Sequence, residues 1–295
     1  IVNPASGRPD GGRGWRAIEQ ALRQADVNFD VVHTQHPGHG ETLARQALHD
    51  GLRHIVAVGG DGSVNEIVQG ILTAGLPDTR EVTLAVAPQG TGNDWARSLG
   101  ITRDPSRIAA VLAAGRTMLH DVGFIDFPEA GGTRRWFINV AGAGYDAWVT
   151  ERVPRPVPSP FTYLRVALNG LASYRSPEFR IIAGQETIAG RLLLAFVANA
   201  QYCGNRMHVA PTARMDDGLL DVLAVRELSL LQVLPKLVKL YRGRILGDRA
   251  VRHLRASTVR IATRPSVAVQ ADGQIVGRTP AEFGVQRQAL RVVIP

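Results

Sequence analysis

Three short stretches combine glycines with side chains suited to phosphate or to a divalent ion: Asn3-Pro4-Ala5-Ser6-Gly7, Gly59-Gly60-Asp61-Gly62-Ser63 and Pro88-Gln89-Gly90-Thr91-Gly92-Asn93-Asp94. Glycine lets backbone N–H groups approach an anion closely and tolerates positive φ. A loop that ends an apolar strand and opens a helix presents those N–H groups at the positive end of the helix, where phosphate binds. A carboxylate in such a loop repels phosphate unless a cation stands between them. Mg2+ shared by a carboxylate, water and phosphate oxygens supplies that bridge. The competing reading of the middle loop is a tight strand–helix turn capped by Asp61 or Ser63. Neither GxxxxGK[ST] nor GxGxxG occurs, so neither of those nucleotide fingerprints is indicated.

The surrounding pattern says how these loops are placed. Helical periodicity covers residues 15–24, 41–49, 64–74 and 95–99, and apolar strand-like runs cover 27–33, 54–58 and 82–87. Alternating strands and helices argue for an open α/β sheet of parallel strands over residues 1–120. All three loops then emerge at one carboxyl edge, where ligands bind in such sheets. After residue 120 the texture changes to short strand candidates at 135–140, 179–182, 191–197, 219–225, 258–262, 267–271 and 290–294, with helices at 163–173 and 229–241. This reads as a mostly antiparallel β domain. Pro154, Pro156, Pro158 and Pro160 form a stiff connection inside it.

Of the 295 residues 45% are hydrophobic and 20% charged, which excludes disorder as the main state. The net charge is +8, and Lys236 and Lys239 are the only lysines, so arginine carries the excess. Coding bias or attraction to polyanions explains this equally well. One cysteine, Cys203, excludes an intrachain disulfide framework and a Cys-rich zinc site, and suits a reducing compartment. The eight histidines show no HExxH spacing. No helix-turn-helix, zinc-finger or RRM signature supports nucleic acid as a partner. No apolar run is long enough to span a bilayer, and no signal peptide is visible. The chain opens without Met inside an apolar dipeptide, so the natural N-terminus is expected to lie upstream.

Taken in order, Asn-Pro-Ala-Ser-Gly (3–7), Gly-Gly-Asp-Gly-Ser-Val-Asn-Glu (59–66), Pro-Gln-Gly-Thr-Gly-Asn-Asp-Trp-Ala-Arg (88–97), Asp121-Val122-Gly123, the acidic run 215–221 and Asp272-Gly273 resemble the diacylglycerol kinase catalytic-domain family over essentially the whole chain. That family includes bacterial lipid kinases and the sphingosine and ceramide kinases. The Gly-Gly-Asp-Gly loop is shared with NAD kinases and phosphofructokinases; the first and third loops separate the readings. The resemblance implies an NAD kinase-like α/β domain at 1–120, completed by about 280–295, and a β-sandwich domain at 121–280 that takes the lipid. It places ATP in the cleft between them, with Mg2+, and implies transfer of the γ-phosphate to a lipid hydroxyl.

Carried onto this sequence, Asn3, Ser6 and Gly7 would touch nucleotide phosphate, and Thr34 would lie near the nucleotide. Gly59, Gly60, Asp61, Gly62, Ser63 and Asn65, with Gly90, Thr91 and Asn93, would complete the ATP site. Asp61, Asp94 and Asp121 would form the water and Mg2+ network. A second, structural Mg2+ would sit on Asp217 with the carbonyls of Arg214 and Leu219. The pattern breaks at Gln274, where the family motif Asp-Gly-Glu has Glu. Gln forms hydrogen bonds but takes no proton. Asp272 is then the favoured base, since the transfer transition state needs orientation more than basicity. Asp272-Gly273 also reads as a type I′ hairpin turn, and the two readings are compatible.

A soluble enzyme acting on a lipid must meet the bilayer, so a peripheral, cytoplasmic location on anionic lipid is expected. Residues 229–241, with Lys236, Lys239 and the arginines that follow, read as a basic amphipathic helix or as a core helix with a solvated end. Residues 153–163 are a second membrane candidate. A second copy of the chain is a further candidate partner. Diacylglycerol, other glycerolipids, sphingoid bases and isoprenoid alcohols all present a suitable hydroxyl. Two alternatives stay open: an NAD kinase-like or sugar-phosphate kinase, and a nucleotide-binding regulatory protein with weak or no catalysis, suggested by Gln274.

Overall fold

The computed structural model describes residues 1–7, 13–129, 131, 134–154 and 162–295. Most of the proline-rich stretch, and with it most of the membrane candidate at 153–163, lies outside the described residues. The chain divides into two compact units, Ile1–Asp121 with Arg287–Pro295, and Val122–Gln286.

In the first unit, Val2 bridges both His33 and Val58 in parallel. Helices α1 (Arg13–Gln24) and α2 (His39–His49) precede strand β1 (His54–Gly59). Then come α3 (Asp61–Leu72), β2 (Thr83–Pro88), α4 (Asp94–Ser98) and α5 (Pro105–Ala114). β1 and β2 pair in parallel from His54↔Thr83 to Gly59↔Pro88. Both are nearly continuous apolar runs, as strands covered on both faces must be. Ile18 and Leu22 of α1 and Ile108 and Ala109 of α5 share a core with Val2, Val58 and Ala87. Asp104 caps α5, Pro105 opens it and Gly115 closes it at φ 63, three stop-and-start signals that mark a helix the periodicity reading passed over. The strand expected at 27–33 reduces to one bridge. Val2 N donates to Val32 O and Thr34 N to Val2 O, and a ladder extends no further than the strand beside it.

Strand β3 (Thr117–Asp126) leads into the second unit. There follow β4 (Arg135–Phe137), β5 (Val140–Gly144), α6 (Tyr145–Arg152), α7 (Thr162–Gly170), β6 (Glu178–Ala183), β7 (Glu186–Ala198), the short pair β8 (Tyr202–Cys203) and β9 (Met207–His208), and β10 (Leu220–Arg226). Helix α8 (Leu230–Tyr241) precedes β11 (Val251–Ala256), β12 (Thr258–Arg264), β13 (Ala268–Ala271), β14 (Gln274–Arg278) and β15 (Ala281–Val293). The end of β15 belongs to the first unit, where Arg291 and Val292 pair in parallel with Thr83 and Leu84 of β2.

The long β7 organises the second unit. Its first half pairs with β6, and its second half lies between β5 and β10, all antiparallel. Two sheets, β15-β12-β6-β7 and β14-β13-β5-β7-β10-β11, therefore share one strand. Phe137, Phe179, Ile181, Val222, Val259 and Phe283 fill their common core. The fold class is the α/β unit plus β-sandwich-like unit read from the sequence. The single strand expected at 135–140 is two strands, because the N–H groups of Ile138 and Asn139 turn to the Asp272 carboxylate. The strand expected at 290–294 begins nine residues earlier, behind the polar run Gln286-Arg287-Gln288 that disguised it. Among the described residues no helix is long and apolar enough to cross a membrane.

Helices α2 and α3 cross at Gly70, where a Cβ would overlap the Glu41 carbonyl oxygen and lie 2.8 Å from Ala44 Cβ. Gly→Ala inside an open helix stabilises by roughly 0.5–1 kcal/mol. Gly70→Ala is expected to do the reverse and cost about 1–3 kcal/mol by overpacking. Urea denaturation measures this; an unchanged or raised midpoint contradicts the close crossing.

Candidate active site

The three glycine loops meet in the first unit. Asn3 N donates to Val58 O at 2.9 Å, and Asn3 Nδ2 donates to Ser63 Oγ at 2.8 Å, joining the first loop to the second. Asn3 Oδ1 accepts from Ala5 N at 2.9 Å, which tightens the first loop on itself. Gln89 N and Gly90 N both donate to Gly59 O, at 2.8 and 3.2 Å, joining the second loop to the third. The joints leave no room for side chains. A Cβ on Gly90 would overlap Gly60 Cα, and one on Gly59 would lie 2.5 Å from Ser63 Oγ. Gly7, at φ 86, abuts the Gln89 carbonyl. Ser6 Oγ is 3.6 Å from where a Gly60 Cβ would be. Thr34 N donates to Val2 O, so Thr34 stands beside Asn3. Asn3, Ser6, Gly7, Thr34, Gly59, Gly60, Ser63 and Gly90 thus form one rim. Gly60, the N-cap of α3, brings no capping side chain of its own, and a helix start offers N–H groups to an anion.

The acids have structural work here as well. Asp61 Oδ2 accepts from Asp94 N at 3.1 Å and Oδ1 from Trp95 N at 3.0 Å, so Asp61 caps α4 across the rim. Asp94 is buried. A Cβ on Gly92 would lie 3.1 Å from Asp61 Oδ2 and 3.5 Å from Asp94 Oδ2, so the two carboxylates converge on Gly92. Among the described residues no three His, Cys, Asp or Glu side chains cluster to hold a metal unaided. Two converging carboxylates fit Mg2+, which keeps waters and is completed by phosphate oxygens. Asn93, at φ 54, donates from Nδ2 to Gly90 O at 2.9 Å and shapes the third loop. Asn65 is buried, and Gln69 Nε2 donates to its Oδ1 at 3.4 Å, along its own helix. Gly62 and Thr91 are exposed at the edge. Asp121 is buried and accepts from Gln288 N at 2.6 Å, while its neighbour His120 takes Trp95 Nε1 at 3.1 Å.

Two supports of this rim escaped the sequence reading. Glu66, on α3, accepts from Gly38 N at 2.8 Å and Gly40 N at 3.0 Å, and so caps α2 and holds the segment after Thr34. The available signal was a helix start at Gly38 with no capping side chain of its own. Arg103 donates to the carbonyls of both Gly90 and Thr91 and clamps the third loop.

In the second unit Asp272 and Gly273, at φ 47 and 79, make the two-residue turn between β13 and β14. The Asp272 carboxylate accepts from Ile138 N, Asn139 N and Val140 N at 2.9, 3.0 and 3.2 Å. Gln270 anchors the turn: its Oε1 accepts from Gly273 N at 2.9 Å and its Nε2 donates to Asp146 Oδ2 at 3.0 Å. Among the described residues Asp146 Oδ1 and the Tyr174 hydroxyl are buried without hydrogen-bond partners. Tyr145, Trp148 and Tyr174 pack ring against ring beside them.

The acidic run is neutralised from within the protein. Asp217 accepts from Leu219 N at 3.0 Å and pairs with the Arg255 guanidinium, while Arg214 pairs with Asp216. Arg255 also reaches Asp221 Oδ2 at 3.3 Å. Burial pushes the Asp221 carboxyl up, but hydrogen bonds from His253 and Thr212 and the nearby positive charge hold it below its ordinary range. Asp217 is thus held by the Arg255 guanidinium and the Leu219 N–H.

Burial raises the Asp146 carboxyl to about 6. Its folded value lies above its unfolded value, so the folded state loses stability as pH rises from about 4 to about 6 and stays penalised above that. Asp146→Asn is expected to stabilise the protein by roughly 2–3 kcal/mol at neutral pH and by almost nothing at pH about 4. Thermal unfolding at the two pH values checks this; equal gains at both contradict it.

Residues 1–125 match the family model described as the diacylglycerol kinase catalytic domain. Residues 139–294 match that of the YegS C-terminal NAD kinase beta sandwich-like domain. A diacylglycerol kinase of Bacillus subtilis (strain 168) is 29% identical over 299 residues, spanning 100% of this chain and 95% of that protein. One from Mycobacterium tuberculosis (strain ATCC 25618 / H37Rv) is 28% identical over 299 residues, spanning 100% and 94%. Among solved structures, a diacylglycerol kinase from Bacillus anthracis strain Sterne aligns with a TM-score of 0.76 at 21% identity, covering 100% of this chain and 95% of that one. Yeast NADH kinase complexed with NADH aligns with a TM-score of 0.53 at 10% identity, covering 96% and 80%. These two structures bear on the fold alone. With its first unit matching the catalytic-domain model and its second the sandwich model, the chain belongs to the diacylglycerol kinase catalytic-domain family, a family of lipid kinases.

Proposed function

We propose that this chain transfers the γ-phosphate of ATP to the hydroxyl of a membrane lipid, diacylglycerol or one of similar plan, with Mg2+ as the required ion. The observation that carries this reading is the joined rim, where a helix start and three glycine loops lie beside the converging carboxylates of Asp61 and Asp94. Asn3, Ser6, Gly7, Thr34, Thr91 and the start of α3 would receive the nucleotide phosphates. Mg2+ held by Asp61, Asp94 and Asp121 through water would neutralise charge on the transferring group. The α4 cap fixes the orientation of the Asp61 carboxylate, so that ligand is set before nucleotide arrives. Asp272 has three acceptor positions committed to backbone N–H groups. It is suited to orienting an acceptor hydroxyl, which is what a loose transition state asks for. Asp146 Oδ1 and the Tyr174 hydroxyl are buried polar atoms that a lipid head group would satisfy.

The test is transfer of radiolabelled phosphate from ATP to a panel of diacylglycerol, a sphingoid base, an isoprenoid alcohol and, as control, NAD. Labelled lipid is expected with Mg2+ and its loss with a chelator. Asp61→Ala should lower kcat/KM by about 10²–10³, roughly 3–4 kcal/mol of transition-state stabilisation. Label on NAD, or ATP binding with no labelled lipid, overturns the reading. Gln274→Glu separates the roles at the turn. Turnover within about threefold of the parent agrees with orientation by Asp272, whereas a gain of about tenfold or more locates the missing base at position 274.

A further inference from the structure

We propose that α8 is the element by which this chain rests on an anionic lipid surface: Leu231, Leu234, Val238 and Tyr241 enter the apolar boundary, and the arginines just beyond the helix meet the head groups. The proposal rests on the lipid-kinase reading and specifies the surface that reading requires.

Among the described residues seven large apolar side chains stand exposed, and four are on this one helix: Leu231 at 81%, Leu234 at 49%, Val238 at 51% and Tyr241 at 49%. Spaced three and four residues apart, they fall within about 80° of arc. Val233, Leu237 and Leu240 occupy a different face and are partly buried, with Leu240 packed on the core of the second unit. The helix therefore has one apolar face turned inward and another turned to solvent. A surface helix with a second apolar stripe is built for a second apolar partner.

Charge identifies the partner. Residues 228–247 contain no Asp or Glu. Lys236 and Lys239 both bond the buried carboxylate of Asp248, at 2.9 and 2.7 Å, and brace the helix against the turn that follows it. Arg242, Arg244 and Arg249 remain exposed beyond the helix, while Arg252 pairs with Glu186. An apolar stripe bordered by arginines and lacking carboxylates complements an anionic bilayer. A second copy seated on the same stripe would bring like charges together, which opposes self-association.

The experiment sediments the full chain with vesicles of phosphatidylcholine alone and of phosphatidylcholine with phosphatidylglycerol, at low and high salt. Binding to the anionic vesicles, weakening with salt, is expected. Replacing Leu231, Leu234 and Val238 together by Gln should lower the partition coefficient about tenfold or more with the unfolding midpoint unchanged. Leu231→Gln alone, at the most exposed position, serves if the triple variant folds poorly. Arg242→Gln with Arg249→Gln should erase the preference for anionic vesicles. Equal sedimentation of parent and apolar variant overturns the proposal. So does a parental dimer, in the absence of lipid, that the variant loses, since a second copy would then cover the stripe. Phosphorylation of a short-chain, water-dispersed lipid separates the two readings. If it persists while vesicle binding is absent, docking by α8 fails and the kinase reading stands. If vesicles bind but no lipid is phosphorylated under any presentation, the kinase reading fails.

Discussion

One carboxylate, that of Asp61, holds the first unit's site together. It stands in the first turn of α3 and accepts the first N–H groups of α4, so two helix starts face each other across one negative charge. Helix starts attract anions, and sharing a carboxylate brings them close without a cost in unsatisfied N–H groups. Closeness then dictates composition. With Gly60 Cα and Gly90 Cα in near contact, neither position admits a side chain without displacing the other loop. The glycine pattern records this backbone contact at least as much as it records a phosphate. The same contact leaves Asp61 and Asp94 converging on Gly92.

The second unit uses the same device in a strand. Between β4 and β5 the ladder breaks, and the N–H groups of Ile138 and Asn139, with that of Val140 at the start of β5, turn to a side chain. Asp272, reaching over from the β13–β14 turn, accepts all three. Buried N–H groups without acceptors are costly, so this carboxylate is needed for folding whatever else it does. A carboxylate already required by the architecture keeps its place when its neighbour is Gln274 rather than Glu. Three backbone N–H groups fix the position of its oxygens.

Much of this was legible in the sequence because it is local. The glycine loops, the unbroken apolar runs of β1 and β2, and the Asp-Gly turn are each written within a few residues. What was not legible joins residues far apart. Nothing near Glu66 shows that it caps α2, and nothing near Asp217 shows that Arg255, in β11, neutralises it. The break at Ile138 and Asn139 is invisible until Asp272 is placed beside it. Asp146 escaped notice for a related reason. A lone Asp after Gly144-Tyr145 has no spacing signature, and its buried setting comes from the strands and aromatic rings packed around it.

Net charge shows the limit of composition most clearly. The excess of +8 suggests a basic protein in search of anions. Yet Lys236, Lys239 and Arg255 are committed to Asp248, Asp217 and Asp221 within the protein, so those cations stabilise the fold and contribute little outward field. A carboxylate as enclosed as Asp248 would be costly alone, and two lysines compensate it. Using them there makes α8 a braced rod whose outward side is apolar and whose remaining cations are arginines beyond its end. Arginine is the less strongly hydrated cation and binds phosphate in a planar fork. The division of labour between two lysines paired with Asp248 and several exposed arginines, rather than the total charge, gives this surface its character.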